Sequence, residues 1–247
     1  MISFQNVRKS FGDREVLKGI SFDVPAGQIL FILGTSGTGK SVLLKNIVGL
    51  LKPSSGAIFV DDVDVAPLSE EAMFPIRRKC GMVFQHPALF DSLSIFENVA
   101  FGLRKHNPEM SENEIRRRVD ECLSLVHLRG LNHKKPQEIS YGMQKRVSLA
   151  RTVAVNPKIL LFDEPTTGLD PVTTRAINHL ILELSRKLQT TSLVVSHDMQ
   201  CALEIADHII VLDKGEIVAQ GSSEQLKKNA HPLVRDFLSE ALSADGA

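Results

Sequence analysis

The chain has 247 residues, enough for one large α/β domain or for a core with a smaller inserted lobe. Hydrophobic residues make up 43% of it and charged residues 23%, a balance typical of a globular protein. Its 29 basic and 29 acidic side chains cancel to a formal net charge of zero. That balance argues against general nucleic-acid binding and against an electrostatic membrane anchor.

The cysteines and the apolar runs bear on the cellular setting. Cys80, Cys122 and Cys201 lie far apart and in no CxxC spacing, so neither a disulfide framework nor a zinc site is expected. No segment resembles a secretory signal, and no apolar run approaches the ~20 residues needed to span a bilayer. We therefore expect a cytoplasmic protein that reaches a membrane only by docking on a partner that crosses it.

The first part of the chain has the patterns of strands followed by a helix. Residues 2–7 and 19–24 alternate apolar and polar side chains and are bounded by glycine-containing turns. Residues 28–33 are a short apolar run of the kind found in buried parallel strands. The next segment, 39–51, predicts a helix that Pro53 would end.

Between residues 90 and 136 the pattern changes to helices. Ser94 with Glu97, and Ser111 with Glu114, have the spacing of capping boxes, which begin helices. Apolar side chains recur at helical spacing after the second box, opposite a charged face. We interpret this segment as a helical lobe inserted in an α/β core.

Strand and helix patterns alternate again after residue 136. The apolar runs 159–162 and 192–195 predict buried strands, and 209–212 with 216–219 predict a hairpin. Such alternation predicts an α/β fold with a mostly parallel sheet, antiparallel strands near the N-terminus, and ligands at the carboxyl ends of the parallel strands. One domain is expected over residues 1–242. Its predicted parts are an α/β core at 1–89 and 137–230, the helical lobe at 90–136, a C-terminal helix at 231–242, and a tail at 243–247.

A glycine-rich loop follows the apolar run at 28–33. Its residues are Gly34, Thr35, Ser36, Gly37, Thr38, Gly39, Lys40 and Ser41, in the pattern G-x-x-x-x-G-K-S. Between a strand and a helix, such a loop cradles phosphates with its backbone N–H groups. Lys40 would reach the β- and γ-phosphates, and the Ser41 hydroxyl would bind Mg²⁺. The loop by itself predicts only a nucleoside triphosphatase.

Two carboxylates follow the apolar strand at 159–162. Asp163, at the end of that strand, would hold the same Mg²⁺ as Ser41, and Glu164 would act as general base on the attacking water. An Asp-Glu pair in isolation is often only a helix N-cap. Its position downstream of a phosphate-binding loop favours the catalytic interpretation.

Several further motifs, taken together, resemble ABC ATPases over essentially the whole chain. They are Ser140-Tyr141-Gly142-Met143-Gln144, Glu164-Pro165-Thr166-Thr167-Gly168-Leu169-Asp170 and Ser196-His197-Asp198, in the order found in that family. The resemblance implies the ABC ATPase fold, a P-loop core with an inserted helical lobe, and it implies ATP and Mg²⁺ as cofactors.

The resemblance also implies roles for single residues. Phe11 matches the aromatic residue that stacks on adenine, and Gln85 matches the glutamine that touches Mg²⁺ and the attacking water. His197 matches the histidine that contacts the γ-phosphate. Asp170 matches the residue that links the two nucleotide sites of a dimer.

The signature segment departs from the family pattern at one position. The usual sequence is Leu-Ser-Gly-Gly-Gln, and this chain keeps Ser140 and Gly142 but has Tyr141 where glycine is usual. In the family this helix start faces the γ-phosphate held by the opposite subunit, so the motif implies a homodimer. The same resemblance implies that Tyr141→Gly would retain or raise activity.

The chain could belong to one of two functional classes of ABC protein: the motor subunits of transporters, and the proteins that act on nucleic acid or ribosomes. The second class carries tandem cassettes, coiled-coil insertions or zinc modules, none of which is seen here, and the basic run at 116–118 is interpreted as a solvated helix face. We therefore expect a motor bound to transmembrane permease subunits on the cytoplasmic face of the inner membrane, with no nucleic-acid partner.

The cargo is predicted from resemblance alone. Met143, the segment 88–101 and the segment 231–238 are similar to the Mla/Mce-type phospholipid transporters. This similarity implies an Mce-domain lipid-binding protein and a small regulatory subunit as further partners. The motor of an amino-acid-type importer and that of a lipoprotein-release system are the alternatives.

Overall fold

The computed structural model describes residues 2–244, with side chains described through residue 241. The strands are β1 Ile2–Phe11, β2 Arg14–Val24, β3 Ile29–Leu33, β4 Ser55–Val60, β5 Val63–Asp64, β6 Cys80–Val83, β7 Ile159–Asp163, β8 Thr191–Ser196, β9 His208–Asp213 and β10 Glu216–Gly221. The helices are α1 Lys40–Ile47, α2 Glu70–Lys79, α3 Ile95–His106, α4 Glu112–Leu125, α5 Tyr141–Ala154, α6 Pro171–Lys187, α7 Met199–Ile205, α8 Ser223–Lys227 and α9 Pro232–Ala244, with a short 3₁₀ helix at Pro136–Glu138. No helix among these described residues is both long and apolar enough to cross a membrane.

The strands form two sheets. The first is antiparallel, in the order β2-β1-β4-β5. The second has the order β10-β9-β3-β8-β7-β6, and its strands are parallel except for β10, which pairs antiparallel with β9. This architecture confirms the predicted α/β fold with a mostly parallel sheet and N-terminal antiparallel strands.

The large sheet lies between two hydrophobic cores because its central strands are apolar on both faces. Within β3, Ile29, Phe31 and Leu33 pack into the core formed with α3 to α7, while Leu30 and Ile32 pack into the core shared with the antiparallel sheet, α1 and α2. Every residue of β3, β7 and β8 is buried. The buried strands β3, β7 and β8 therefore form a rigid platform that holds the residues at their carboxyl ends.

The helical lobe begins its helices as the sequence predicts. Ser94 with Glu97, and Ser111 with Glu114, form complete capping boxes at the starts of α3 and α4. Both helices pack against α5, which in turn contacts β6. The helix carrying the signature segment is therefore packed against both the lobe and an edge strand of the large sheet.

Several predicted boundaries differ from the structure. The helix predicted at 39–51 ends at Ile47, because the chain turns at Gly49 with φ 66°. The strands predicted at 2–7 and 19–24 are longer, and β1 carries irregular register where a residue with positive φ, Asn6, interrupts it. The predicted C-terminal helix is α9, while residues 245–247 of the predicted tail lie outside the described residues.

Candidate nucleotide site

The glycine-rich loop connects β3 to α1 in the way that its sequence predicts. A Cβ atom on Gly34 would lie 2.6 Å from the carbonyl oxygen of Leu212, and one on Gly39 would lie 2.7 Å from Cδ2 of Leu17. Gly39 also has φ 101°, which L side chains rarely adopt. Both glycines are thus required by close packing around the loop.

Lys40 is folded inside the loop. Its side chain is only 6% exposed, and Nζ donates hydrogen bonds to the carbonyl oxygens of Gly34 at 2.6 Å and Thr35 at 3.0 Å. The same ammonium lies 3.4 Å from Oε1 of Glu164. The glycine-rich loop and the residue that follows β7 therefore meet at one buried positive charge.

Ser41 and Asp163 are joined directly. The Ser41 hydroxyl donates a hydrogen bond of 2.6 Å to Oδ1 of Asp163, which is buried at the carboxyl end of β7. Over the described residues no group of three or more His, Cys, Asp or Glu side chains could hold a metal ion. A hydroxyl and one carboxylate nevertheless fit Mg²⁺, which is usually bound through one or two protein oxygens together with waters and substrate phosphates.

Glu164 is held in a constrained position next to His197. Its backbone has φ 48°, an uncommon conformation for a residue with a side chain, and its N–H donates to the carbonyl of Val195 at 2.9 Å. Oε2 of Glu164 lies 3.0 Å from Nδ1 of His197 and accepts a hydrogen bond of 3.3 Å from the Thr167 hydroxyl.

This contact shifts the pKa values of both groups. The hydrogen bond to Glu164 raises the pKa of His197, although burial of the ring opposes the shift. Burial acts to raise the pKa of Glu164, but the hydrogen bond from His197 and the charge of Lys40 outweigh it, so the pKa of this carboxyl lies below its usual value. Glu164 is accordingly ionised at neutral pH and oriented by two neighbours.

These groups surround one cleft of about 820 Å³. Its lining includes the predicted residues Phe11, Thr35, Ser36, Gly37, Gly39, Lys40, Ser41, Gln85, Glu164 and His197. Phe11 is 47% exposed at the rim, with Nζ of Lys9 5.0 Å from its ring centroid. Gly34, Thr38 and Asp163 lie behind this surface, where Asp163 holds Ser41 and Thr38 donates a hydrogen bond of 2.9 Å to the carbonyl of Thr35.

The cleft also contains residues that the sequence analysis missed. They are Arg14, Val16, Val42, Phe237 and Glu240, together with Thr167, which belongs to the quoted motif 164–170 but was predicted to have no role of its own. Phe237 and Glu240 belong to α9, which packs against α7 and so reaches the cleft from the far end of the chain. The sequence gives them no role in the nucleotide site, although Phe237 lies in the segment 231–238, because their position depends on how a terminal amphipathic helix docks.

The predicted signature residues lie elsewhere. Ser140 caps α5, its hydroxyl accepting a hydrogen bond of 3.3 Å from the N–H of Met143. With Gly142 it lines a separate cavity of about 540 Å³, which Asp170 also lines. The Asp170 carboxylate accepts bonds of 3.0 Å from the N–H groups of Val172 and Thr173, and so caps α6. The structure thus brings the predicted residues together in two groups rather than one.

A phosphate-binding loop after β3, an Asp-Glu pair at the carboxyl end of β7 and a signature helix define an ATP-hydrolysing cassette on this fold. Comparison with known proteins agrees, since residues 17–167 match the family described as ABC transporter. The chain belongs to this family, and it binds and hydrolyses ATP.

Relatives with different transport names resemble the chain to a similar degree. It is 41% identical to the "Probable ribonucleotide transport ATP-binding protein mkl" of Mycobacterium leprae, covering 96% of this chain and 68% of that one. It is 41% identical to the "Intermembrane phospholipid transport system ATP-binding protein MlaF" of Haemophilus influenzae, covering 96% and 90%. The "Methionine import ATP-binding protein MetN" of Carboxydothermus hydrogenoformans is 39% identical, covering 99% and 73%.

A solved structure of a similar cassette is a dimer. The ATP-binding cassette MJ0796, in a dimeric post-hydrolysis state bound to ADP and Pi, superimposes with a TM-score of 0.82 at 35% identity, covering 90% of this chain and 99% of that one. The match extends over nearly the whole of that cassette, so the two chains share one architecture.

Proposed function

We propose that the chain is the ATP-hydrolysing motor of a homodimer that drives phospholipid transport through a separate permease. One observation carries the homodimer part of this proposal. The cleft holding Lys40 and Glu164 and the cavity holding Ser140 and Asp170 share no lining residue. We infer that a single chain presents two half-sites, which a second copy related by a twofold axis would complete, as the dimeric relative supports.

Within each completed site the residues have distinct tasks. The N–H groups of the loop and Lys40 bind the phosphates, and Ser140 at the N-terminus of the partner's α5 offers the γ-phosphate a further anion site. Phe11 stacks on the adenine from the rim. Ser41, Asp163 and Gln85 would hold Mg²⁺, which would supply positive charge against the β- and γ-phosphates.

Glu164 acts as the general base. Its ionised carboxylate accepts the proton from the attacking water, and His197 orients it through the 3.0 Å contact before turning to the γ-phosphate. A phosphate entering the loop would compete with Glu164 for Lys40, since the ammonium is 3.4 Å from that carboxylate. Nucleotide binding would thereby free Glu164 for the water.

Substitution of the general base tests the motor. We expect Glu164→Gln to leave ATP binding intact and to lower turnover by about 10²–10⁴-fold, because the amide cannot take the proton. ATP that is bound but not hydrolysed should hold two chains together, so size-exclusion chromatography with Mg-ATP should show a shift from monomer to dimer. Turnover of Glu164→Gln near that of the unmodified chain would contradict the assignment.

The proposals about the permease and the cargo rest on other observations. The 41% identity to MlaF supports phospholipid transport. An Mce-domain lipid-binding protein and a small regulatory subunit as partners, and the cytoplasmic face of the inner membrane as location, are proposed from the sequence resemblance alone. The 39% identity to MetN favours an amino-acid-type importer as the alternative. On the helical lobe the exposed rings of Phe90 and Phe101, 4.9 Å apart between centroids, offer an apolar contact of the kind a permease would cover.

A further inference from the structure

The segment that follows Gln85 is attached to the signature helix by side chains of α5. Nζ of Lys145 donates a hydrogen bond to the main-chain carbonyl of Gln85 itself. The hydroxyl of Tyr141 lies 3.3 Å from Nδ1 of His86. Arg151 donates to the carbonyl oxygens of the next two residues, at 3.1 Å and 2.7 Å. Four consecutive residues, 85–88, are therefore held by one helix.

The segment needs this support because it has no regular structure of its own. It lies between β6 and α3, and Ala88 within it has φ 49°, an uncommon conformation for a residue with a side chain. Such a conformation persists when the surrounding contacts impose it. The hydrogen bonds from α5 therefore help to hold the segment 85–88, including the main chain of Gln85.

Lys145 is an unusual residue for this purpose. It is 1% exposed, and burial lowers its pKa to about 8, partly countered by the charge of Glu164. Its ammonium lies 5.5 Å from the ring centroid of Tyr141, a favourable distance for a cation facing an aromatic ring. The ring, the ammonium and the Gln85 carbonyl consequently form one packed unit.

Tyr141 also reaches the segment after Glu164. A Cβ atom on Gly168 would lie 3.6 Å from Cε1 of Tyr141, so the ring is in contact range of that segment. Tyr141 immediately follows Ser140, the residue assigned to the partner's γ-phosphate. Tyr141 therefore lies between the start of α5, which would bind the partner's nucleotide, and Gln85, which lines the cleft for the subunit's own nucleotide.

We propose that Tyr141 and Lys145 are positioning residues that couple the two nucleotide sites, by making Gln85 move with the start of α5. This inference rests on the roles proposed for Gln85 and Ser140. Engagement of the helix start by the partner's γ-phosphate shifts α5, and the side-chain contacts carry that shift to Gln85 in the subunit's own cleft. The family pattern alone predicts that Tyr141→Gly retains activity, whereas these contacts predict a loss.

The test compares ATPase kinetics of full-length variants. Tyr141→Phe removes the hydroxyl and keeps the ring, and His86→Ala removes the other partner of the same contact. Each should lower kcat about threefold to tenfold with the KM for ATP unchanged, the effect of losing one hydrogen bond. The double variant should be no slower than the slower single variant, because both substitutions remove one interaction. Additive losses, an unchanged kcat, or a loss confined to KM would overturn the proposal.

Lys145 supplies a second, matched comparison. Lys145→Met removes the donor to the Gln85 carbonyl, whereas Lys145→Gln keeps a donor in a side chain of similar size. We expect kcat to fall by about tenfold or more in the first and to recover most of that loss in the second. Equal losses in the two variants, or a kcat loss matched by a lower melting temperature in Tyr141→Phe, would assign these residues a merely structural role.

One further measurement separates this coupling from the motor itself. ATP-dependent dimer formation is measured with Tyr141→Phe placed on the Glu164→Gln background, and it should match that of Glu164→Gln alone. A loss of dimer formation would mean that Tyr141 acts in assembly and would overturn the coupling. Failure of the motor assignment would be seen differently, as turnover by Glu164→Gln or as no ATP-dependent dimer in that single variant.

Discussion

At the scale of single residues, the contact between Glu164 and His197 has a pH dependence that can be measured. The raised pKa of His197 contributes stability that is fully present below the ordinary histidine pKa and is lost as the pH rises through the folded-state value. The lowered pKa of Glu164 contributes stability above the ordinary glutamate pKa, lost as the pH falls through the folded-state value. The pair is therefore most stabilising between the ordinary pKa of glutamate and the ordinary pKa of histidine.

We expect an NMR titration of the nucleotide-free chain to show this directly. The midpoint of His197 should lie above that of a free histidine, because the ionised Glu164 accepts its hydrogen bond. Glu164→Gln should move the midpoint down, whereas Asp170→Asn, in the other cavity, should leave it in place. An unmoved midpoint in Glu164→Gln would show that the contact does not control the protonation of His197.

At the scale of elements, the platform of buried strands and the helical lobe have different roles: the strands position the site residues, and the lobe packs against the strands through α5. Strands β3, β7 and β8 fix the phosphate loop, Asp163 and His197 at one edge of the sheet, where packing on both faces limits motion. The lobe joins this platform through α5 and the segment 85–88. We propose that its exposed face contacts the permease.

We predict that the exposed aromatic pair of the lobe forms part of the permease contact. Phe101→Asp places a charge where that interface would exclude water, so it should weaken copurification with the permease and leave the melting temperature and basal ATPase rate unchanged. Val63→Asp is the matched control, since Val63 is 42% exposed and Phe101 47% exposed but Val63 lies on the antiparallel sheet. Equal copurification of the two variants would remove Phe101 from the interface.

At the scale of the whole molecule, dimerisation and docking would turn hydrolysis into movement of a permease. Closure of two copies around ATP would bring their lobes together and rework the contacts of a bound permease through a packed interface. None of these steps requires the motor to touch cargo. The cargo must therefore be identified from the partners.

Purification from native membranes in mild detergent tests the cargo assignment. We expect a permease and an Mce-domain protein carrying phospholipid to accompany the chain, and the phospholipid part of this expectation is supported by the similarity to MlaF. A permease accompanied by an amino-acid-binding protein would favour the importer alternative, which the similarity of the chain to MetN supports. Either outcome is independent of the ATPase assays.

The sequence by itself determined the elements whose signals are local. The apolar run of β3 followed by the glycine-rich loop predicted both the strand and the phosphate site, because backbone conformation and loop chemistry are encoded in adjacent residues. The capping boxes of α3 and α4 were equally readable. The region of β4, β5 and α2 received no assignment, and α2 contains Pro75, which weakens a helical pattern.

Only the tertiary structure decided which distant residues meet. The contact of Tyr141 with His86 joins positions 55 apart in the chain, and nothing in either local sequence marks the other as a partner. Phe237 and Glu240 reach the cleft because α9 docks on α7, which depends on the shape of the finished core. The separation of the P-loop cleft from the cavity of Ser140 likewise follows from packing. Contacts of this kind are selected by the summed burial of many side chains, and no short stretch of sequence carries that information.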